Sequence, residues 1–161
     1  NSYVASSLNK FANIDGISIS NNEIILANNL KIGNYKSYFF NKLENNVFSN
    51  KIFSKYDVII DVNIKSFCCC EYSFKKLFRD YNMMLNKNGI LITGKRGMNW
   101  SRIVKPVIRF SFKKFFYRRL KEFDGPKSNI LSLYECIELA KEHDLKLNEI
   151  DGTSIVTFAK T

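Results

Sequence analysis

The segment from Tyr56 to Lys95 constrains the fold more than any other part of the chain. It opens with Asp57-Val58-Ile59-Ile60-Asp61-Val62, an apolar run rich in β-branched residues, the pattern of a strand buried on both faces. A long segment from Lys65 to Leu85 follows. In it Phe74, Leu77, Phe78, Tyr81 and Leu85 recur at three- and four-residue steps, which predicts a helix with one core-facing stripe and Lys75, Lys76 and Arg79 on the solvated side. Asn86-Lys87-Asn88-Gly89 then stops the helix, because Asn and Gly accept left-handed backbone. Ile90-Leu91-Ile92-Thr93 is a second apolar run. Strand, helix and strand at this spacing make a crossover unit: two parallel neighbouring strands with the helix over one face.

The same residues resemble the class I S-adenosylmethionine-dependent methyltransferases. Tyr56-Asp57-Val58-Ile59-Ile60, then Met84-Leu85-Asn86-Lys87-Asn88-Gly89-Ile90-Leu91-Ile92, are similar to that family's fourth strand, following helix and fifth strand. Earlier in the chain, Val4, Leu8 and Phe11 predict a short amphipathic helix over Ser2 to Phe11. Ile14 to Ser20 is a strand candidate, and Asn21 to Asn29 a helix with Ser20 as N-cap and Glu23 three residues on. Gly16-Ile17-Ser18-Ile19-Ser20, closed by Ala27, looks like the family's second strand and helix.

The resemblance implies a cofactor, S-adenosylmethionine, with Gly16, Ser18 and Ile19 beside it. The family places an acidic residue at this strand end to accept hydrogen bonds from the ribose. Ser18 stands there instead, a neutral and weaker partner, with Asp15 three residues earlier. The family's glycine-rich turn after the first strand has no counterpart, since the glycines at 16, 33, 89, 94, 97, 125 and 152 form no cluster. The resemblance thus implies that the first strand and its loop come from outside these residues, either from an upstream segment or from a partner chain.

Ser37 to Phe40 suits a third strand, and Asn41 to Lys55 reads as a polar loop. By resemblance, Glu44 and Asn45 fall where the family meets the adenine amine. Asp61 and Asn63 end the central strand, where open parallel sheets present ligand-facing groups. They are the candidates for orienting or deprotonating a methyl acceptor. Asp61 is equally suited to capping the following helix.

Beyond the second central strand, residues 96–128 read as a basic aromatic insertion or cap. Arg102, Lys105, Arg109, Lys113, Lys114, Arg118, Arg119 and Lys121 interleave with Phe110, Phe112, Phe115, Phe116 and Tyr117, and Pro106 predicts a break. The mixture suits phosphate contacts with stacking, a membrane surface, or a plain surface helix with one buried side. By analogy with the family, the acceptor is expected to be anionic, a nucleotide, RNA or small molecule, met by Lys95, Arg96 and Arg102. The chain then closes with a capping box at Ser132 and Glu135, a helix to about His143, and strands Leu145 to Ile150 and Ser154 to Lys160 across Asp151-Gly152. A final helix and antiparallel hairpin resemble the way the family ends.

Length and composition limit the alternatives. A chain of 161 residues, 45% hydrophobic and 25% charged, has the size and balance of one globular domain over residues 1–161. No run approaches the ~18 residues that span a bilayer, and Asn1-Ser2-Tyr3-Val4 lacks a signal-peptide pattern, so a cytoplasmic location is expected. Cys68, Cys69 and Cys70 are consecutive, without the spacing of a metal site, and no metal is expected. The net charge of +10 favours anionic partners without naming one. The expected fold is an α/β, three-layer Rossmann-like sheet, mostly parallel with a C-terminal antiparallel hairpin. The expected activity is methyl transfer. The alternative is a non-catalytic methyltransferase-like subunit that binds RNA or a partner protein.

Overall fold

The computed structural model describes residues 2–40, 55–65, 68, 70–95 and 130–161. They fall into two compact units, Asn1–Val47 and Phe48–Thr161. The basic segment at 96–128 and the polar loop at 41–54 lie outside the described residues.

The first unit runs α1 (Ser2–Leu8), β1 (Ile14–Ser18), α2 (Asn21–Asn29) and β2 (Tyr35–Phe39). Strands β1 and β2 pair in parallel, Gly16 opposite Ser37. Helix α2 begins where the sequence places it: the Ser20 hydroxyl accepts the Glu23 N–H, satisfying one of the donors a helix start leaves open. The helix buries Ala27.

The second unit contains β3 (Tyr56–Asp61), α3 (Glu71–Met84), β4 (Leu85–Gly94), α4 (Leu133–Glu142), β5 (Leu145–Glu149) and β6 (Ile155–Lys160). Its sheet has the order β3-β4-β6-β5, with β3 parallel to β4 and β6 antiparallel to both β4 and β5. This is the parallel crossover and closing hairpin expected from the sequence. At the hairpin Gly152 takes φ +71°, a conformation that a side chain would strain.

Two boundaries differ from expectation for local physical reasons. Helix α3 starts at Glu71 rather than Lys65, because the Asp61 carboxylate accepts the Asn63 N–H and folds residues 62–65 into a turn. Strand β4 starts at Leu85 rather than Ile90, and Asn86-Lys87-Asn88-Gly89 is absorbed as an irregularity in it. Tyr56 faces Leu85 and Val58 faces Ile90, five residues on β4 against two on β3. Asn88 adopts φ 65° there, and a Cβ on Gly89 would lie 2.9 Å from the Asn86 carbonyl oxygen and 3.0 Å from that of Tyr56.

One apolar cluster holds this unit together. Phe74, Leu77, Phe78, Tyr81 and Leu85 of the stripe meet Leu91, Val156 and Phe158 of the sheet and Cys136 and Leu139 of α4. Phe78 and Phe158 are fully buried and pack edge to face at 4.9 Å, each burial contributing about 1.5–3 kcal/mol. Burial pushes the Cys136 thiol up to about 11, so it stays protonated. The Lys160 ammonium donates to the carbonyls of Asn82 at 2.9 Å and Leu85 at 3.4 Å, closing the C-terminus of α3 from the last strand.

Candidate functional site

Within the first unit, β1, β2 and α2 leave a cleft of about 360 Å³ lined by Gly16, Ser18, Glu23, Ala27, Tyr35 and Ser37 together with aliphatic Ile17, Ile24 and Leu26. Gly16, Ser18, Ala27 and Ser37 contribute only small side chains to its lining. Tyr35 crosses the face of Gly16 so closely that any Cβ there would collide with its ring, and burial raises the Tyr35 phenol above its ordinary value. Ser37 donates towards Asn28 Oδ1 at 3.0 Å and the Ile24 carbonyl at 3.5 Å, so its hydroxyl is spent on α2.

At the rim the Ser18 hydroxyl donates to Glu23 Oε2 and accepts the Ser20 N–H at 3.0 Å. Of the residues singled out by sequence for a cofactor, Gly16 and Ser18 line this cleft. Ile19 adjoins it in sequence with an exposed side chain, and Glu44 and Asn45 lie outside the described residues. Glu23 and Tyr35 were not singled out for a ligand. Glu23 reads in sequence as a helix-start residue, and only its side-chain direction brings it back to the strand end.

In the second unit, Asp61 and Asn63 come together at the carboxyl end of β3. Asp61 Oδ1 accepts the Asn63 N–H at 3.2 Å and Oδ2 accepts the Tyr81 hydroxyl at 2.9 Å. Thr93, fully buried on β4, donates to the Asp61 carbonyl at 2.7 Å. The carboxylate is therefore fixed by a turn and by a helix that its own sequence neighbourhood does not include. Burial, the Asp61 charge and their hydrogen bond together hold the Tyr81 phenol well above 10.0, so it remains a donor.

Lys95 follows β4 directly, its N–H donating to the Ser154 carbonyl at 2.7 Å and its ammonium bonded to Glu149. Its charge is shared with that carboxylate before any acceptor arrives. Arg96 and Arg102 lie outside the described residues. A further cation, Lys65, is nearly fully buried, bonded to Glu135, 3.8 Å from Glu71, and 5.3 Å above the Phe74 ring. Among the described residues no group of three metal-ligating side chains converges, and no helix is long and apolar enough to cross a membrane.

No family model matches the chain, and no curated protein is significantly similar to it in sequence. Solved structures are similar in fold. A TehB-like S-adenosylmethionine-dependent methyltransferase from Corynebacterium glutamicum matches 98% of this chain and 74% of its own at 13% identity, TM-score 0.58. An S-adenosylmethionine-dependent methyltransferase from Methanosarcina mazei matches 98% and 85% at 13% identity, TM-score 0.60. The N-methyltransferase NodS from Bradyrhizobium japonicum matches 91% and 72% at 10% identity, TM-score 0.54. From these likenesses and its own strand order, the chain has the fold of the class I S-adenosylmethionine-dependent methyltransferases.

Proposed function

We propose that this chain is an S-adenosylmethionine-dependent methyltransferase acting on an anionic or nucleotide-bearing acceptor, its cofactor site completed by a strand from an upstream segment or a partner chain. The observation that carries the reading is the fold itself: likeness over nearly the whole chain to enzymes named for this cofactor. The cleft at Gly16, Ser18 and Glu23 fits a polar ligand. It has a carboxylate at its rim, an aliphatic wall, and a volume at the lower end of the roughly 300–1,000 Å³ usual for small-molecule sites.

When bound, S-adenosylmethionine supplies an electrophilic methyl group on a sulfonium. The chain's own residues then have to position the acceptor in line with that group, which is where most of the acceleration arises. Asp61, held by Tyr81 and the Asn63 N–H, has a fixed orientation and a charge suited to taking the proton an amine or hydroxyl releases. Lys95, with Arg96 and Arg102, supplies positive charge for an anionic acceptor.

Support for an added strand comes from the two sheets. Strands β1 and β3 each stand at the end of their sheet, and Val58 and Ile60 of β3 are about half exposed, at 49% and 50%. A strand at the end of its sheet, as β1 and β3 are among the described residues, has backbone groups with which another strand can pair. The test is calorimetric titration of S-adenosylhomocysteine into this chain alone, then with its upstream segment or a co-purifying chain. Binding that requires the addition is expected. Absence of binding in both preparations would overturn the enzyme reading in favour of a non-catalytic subunit, to be examined with RNA and partner proteins.

A further inference from the structure

We propose that Asn88 is a site of spontaneous chemical modification: in the folded chain its side-chain amide is lost through a cyclic imide formed with the Gly89 backbone nitrogen, leaving aspartate or isoaspartate. The site lies in the first half of β4, whereas Asp61 faces Thr93 near its other end. It does not depend on the cofactor reading.

Asn88 is the only asparagine of the chain that precedes a glycine. The reaction needs the nitrogen of the next residue to reach the side-chain carbonyl carbon, and any side chain on that residue crowds the approach. Three features of the structure leave this pair open. The Asn88 side chain is exposed, and its amide makes no hydrogen bond among the described residues. Its backbone, at φ 65°, occupies the left-handed region that asparagine tolerates better than most residues. The strand ladder also skips the pair: Leu85 faces Tyr56, and Ile90 faces Val58 and Ala159, so residues Asn86 to Gly89 have no partner in β3 or β6. Turning Asn88 out of the left-handed region to cyclise therefore breaks no rung of the sheet. Asn86 is the contrast, since Lys87 follows it and its amide donates to Asp57 Oδ1 at 2.7 Å.

In the first step the Gly89 nitrogen gives its proton to solvent base and attacks Asn88 Cγ. A bond forms between them, the bond from Cγ to the side-chain nitrogen breaks, and that nitrogen leaves as ammonia with a proton from solvent. Water then opens the imide at either carbonyl. Opening on one side gives aspartate; opening on the other gives isoaspartate, whose main chain runs through the former side chain. Nothing is oxidised or reduced, and water is the sole co-reactant. Isoaspartate lengthens the main chain by a carbon beside Gly89, where even an added Cβ would meet the carbonyl oxygens of Asn86 at 2.9 Å and Tyr56 at 3.0 Å. The contacts there have no room for the longer chain, so the modified form is less stable.

The experiment incubates the full chain in mildly alkaline buffer for days, then digests it briefly with trypsin at mildly acidic pH, where cyclisation is slow, for mass spectrometry against a sample taken at the start. Cleavage after Lys87 and Lys95 gives a peptide whose only asparagine is Asn88, so the mass gain of amide-to-acid exchange assigns the position. The acid form is expected to accumulate several-fold faster than at any other asparagine and faster as pH rises. Chromatography should resolve it into aspartate and isoaspartate. Isoelectric focusing should show a new acidic band, and the aged protein should melt below the fresh one. Asn88→Gly, which keeps the left-handed backbone and has no side-chain amide, should show neither change over the same period. If the native chain keeps the amide of Asn88, whether or not the chain unfolded in urea loses it, the proposal is overturned. Conversion of another asparagine first, or of Asn88 to aspartate alone, overturns it as well.

Discussion

Tyr81 reaches from the last turn of α3 to the end of β3 and donates its hydroxyl to Asp61 Oδ2 at 2.9 Å, its ring buried. The bond fixes the candidate acceptor-orienting carboxylate and ties helix to strand. Tyr81→Phe removes the donor while keeping the ring, with an expected stability loss of about 1–3 kcal/mol. Because the folded-state phenol titrates well above 10.0, the native chain holds its proton where the unfolded chain has begun to lose it. Stability is therefore complete below about pH 10 and falls as pH rises further. Urea unfolding between pH 8 and 11 should show this decline in wild type and a shallower one in Tyr81→Phe.

Glu135 gives the opposite pH dependence. Burial alone would raise its carboxyl, but the hydrogen bond from Lys65 and those from the Ser132 N–H and hydroxyl outweigh it and lower the value below 4.5. Its contribution is present above the unfolded value and is lost as pH falls through the folded one. Breaking a fully buried pair costs about 3–5 kcal/mol. Here Glu135 is one-third exposed and Glu71 lies 3.8 Å from the same ammonium. Glu135→Gln should therefore cost about 2 kcal/mol at pH 7, and below pH 4.5 the gap from wild type should narrow in chemical unfolding curves.

Gly94 lets the end of β4 pass close to the turn after β3. A Cβ there would stand 2.8 Å from the Val62 carbonyl oxygen, a backbone atom that cannot swing aside. Gly94→Ala is expected to cost about 1–3 kcal/mol and to lower the melting temperature. Gly33→Ala, where nothing lies within 4 Å of the added carbon, is the control and should change stability little.

For catalysis, Asp61→Asn keeps the shape of the side chain and removes its charge. If Asp61 orients the acceptor and takes its proton, kcat with the identified acceptor should fall about 100-fold, while affinity for S-adenosylhomocysteine stays within about threefold. An unchanged kcat would leave Asp61 with its turn and its bond to Tyr81 alone.

The elements written in short-range chemistry were legible in the sequence. Ser20 caps α2, Ser132 and Glu135 form the capping box of α4, the Phe74-to-Leu85 stripe faces the core, and Asp151-Gly152 turns the hairpin. Each depends on residues a few positions apart, so periodicity and residue type suffice. The start of α3 was not legible, because a turn closed by the Asp61 side chain competes with the first helical turn. Nor was the candidate site complete. Lys65 meets Glu135 seventy residues away, and Tyr81 meets Asp61 across a helix–sheet interface. Glu23 returns to Ser18 by a rotamer choice that residue spacing does not specify. The sequence by itself determined which segments are helices and strands and that the Phe74-to-Leu85 stripe faces the core, but not the burial of β3, expected on both faces, whose Val58 and Ile60 are half exposed, nor that of Val4, Leu8 and Phe11, which are exposed as well. Which side chains share a charge or a proton was decided only when the packing of those faces set their distances.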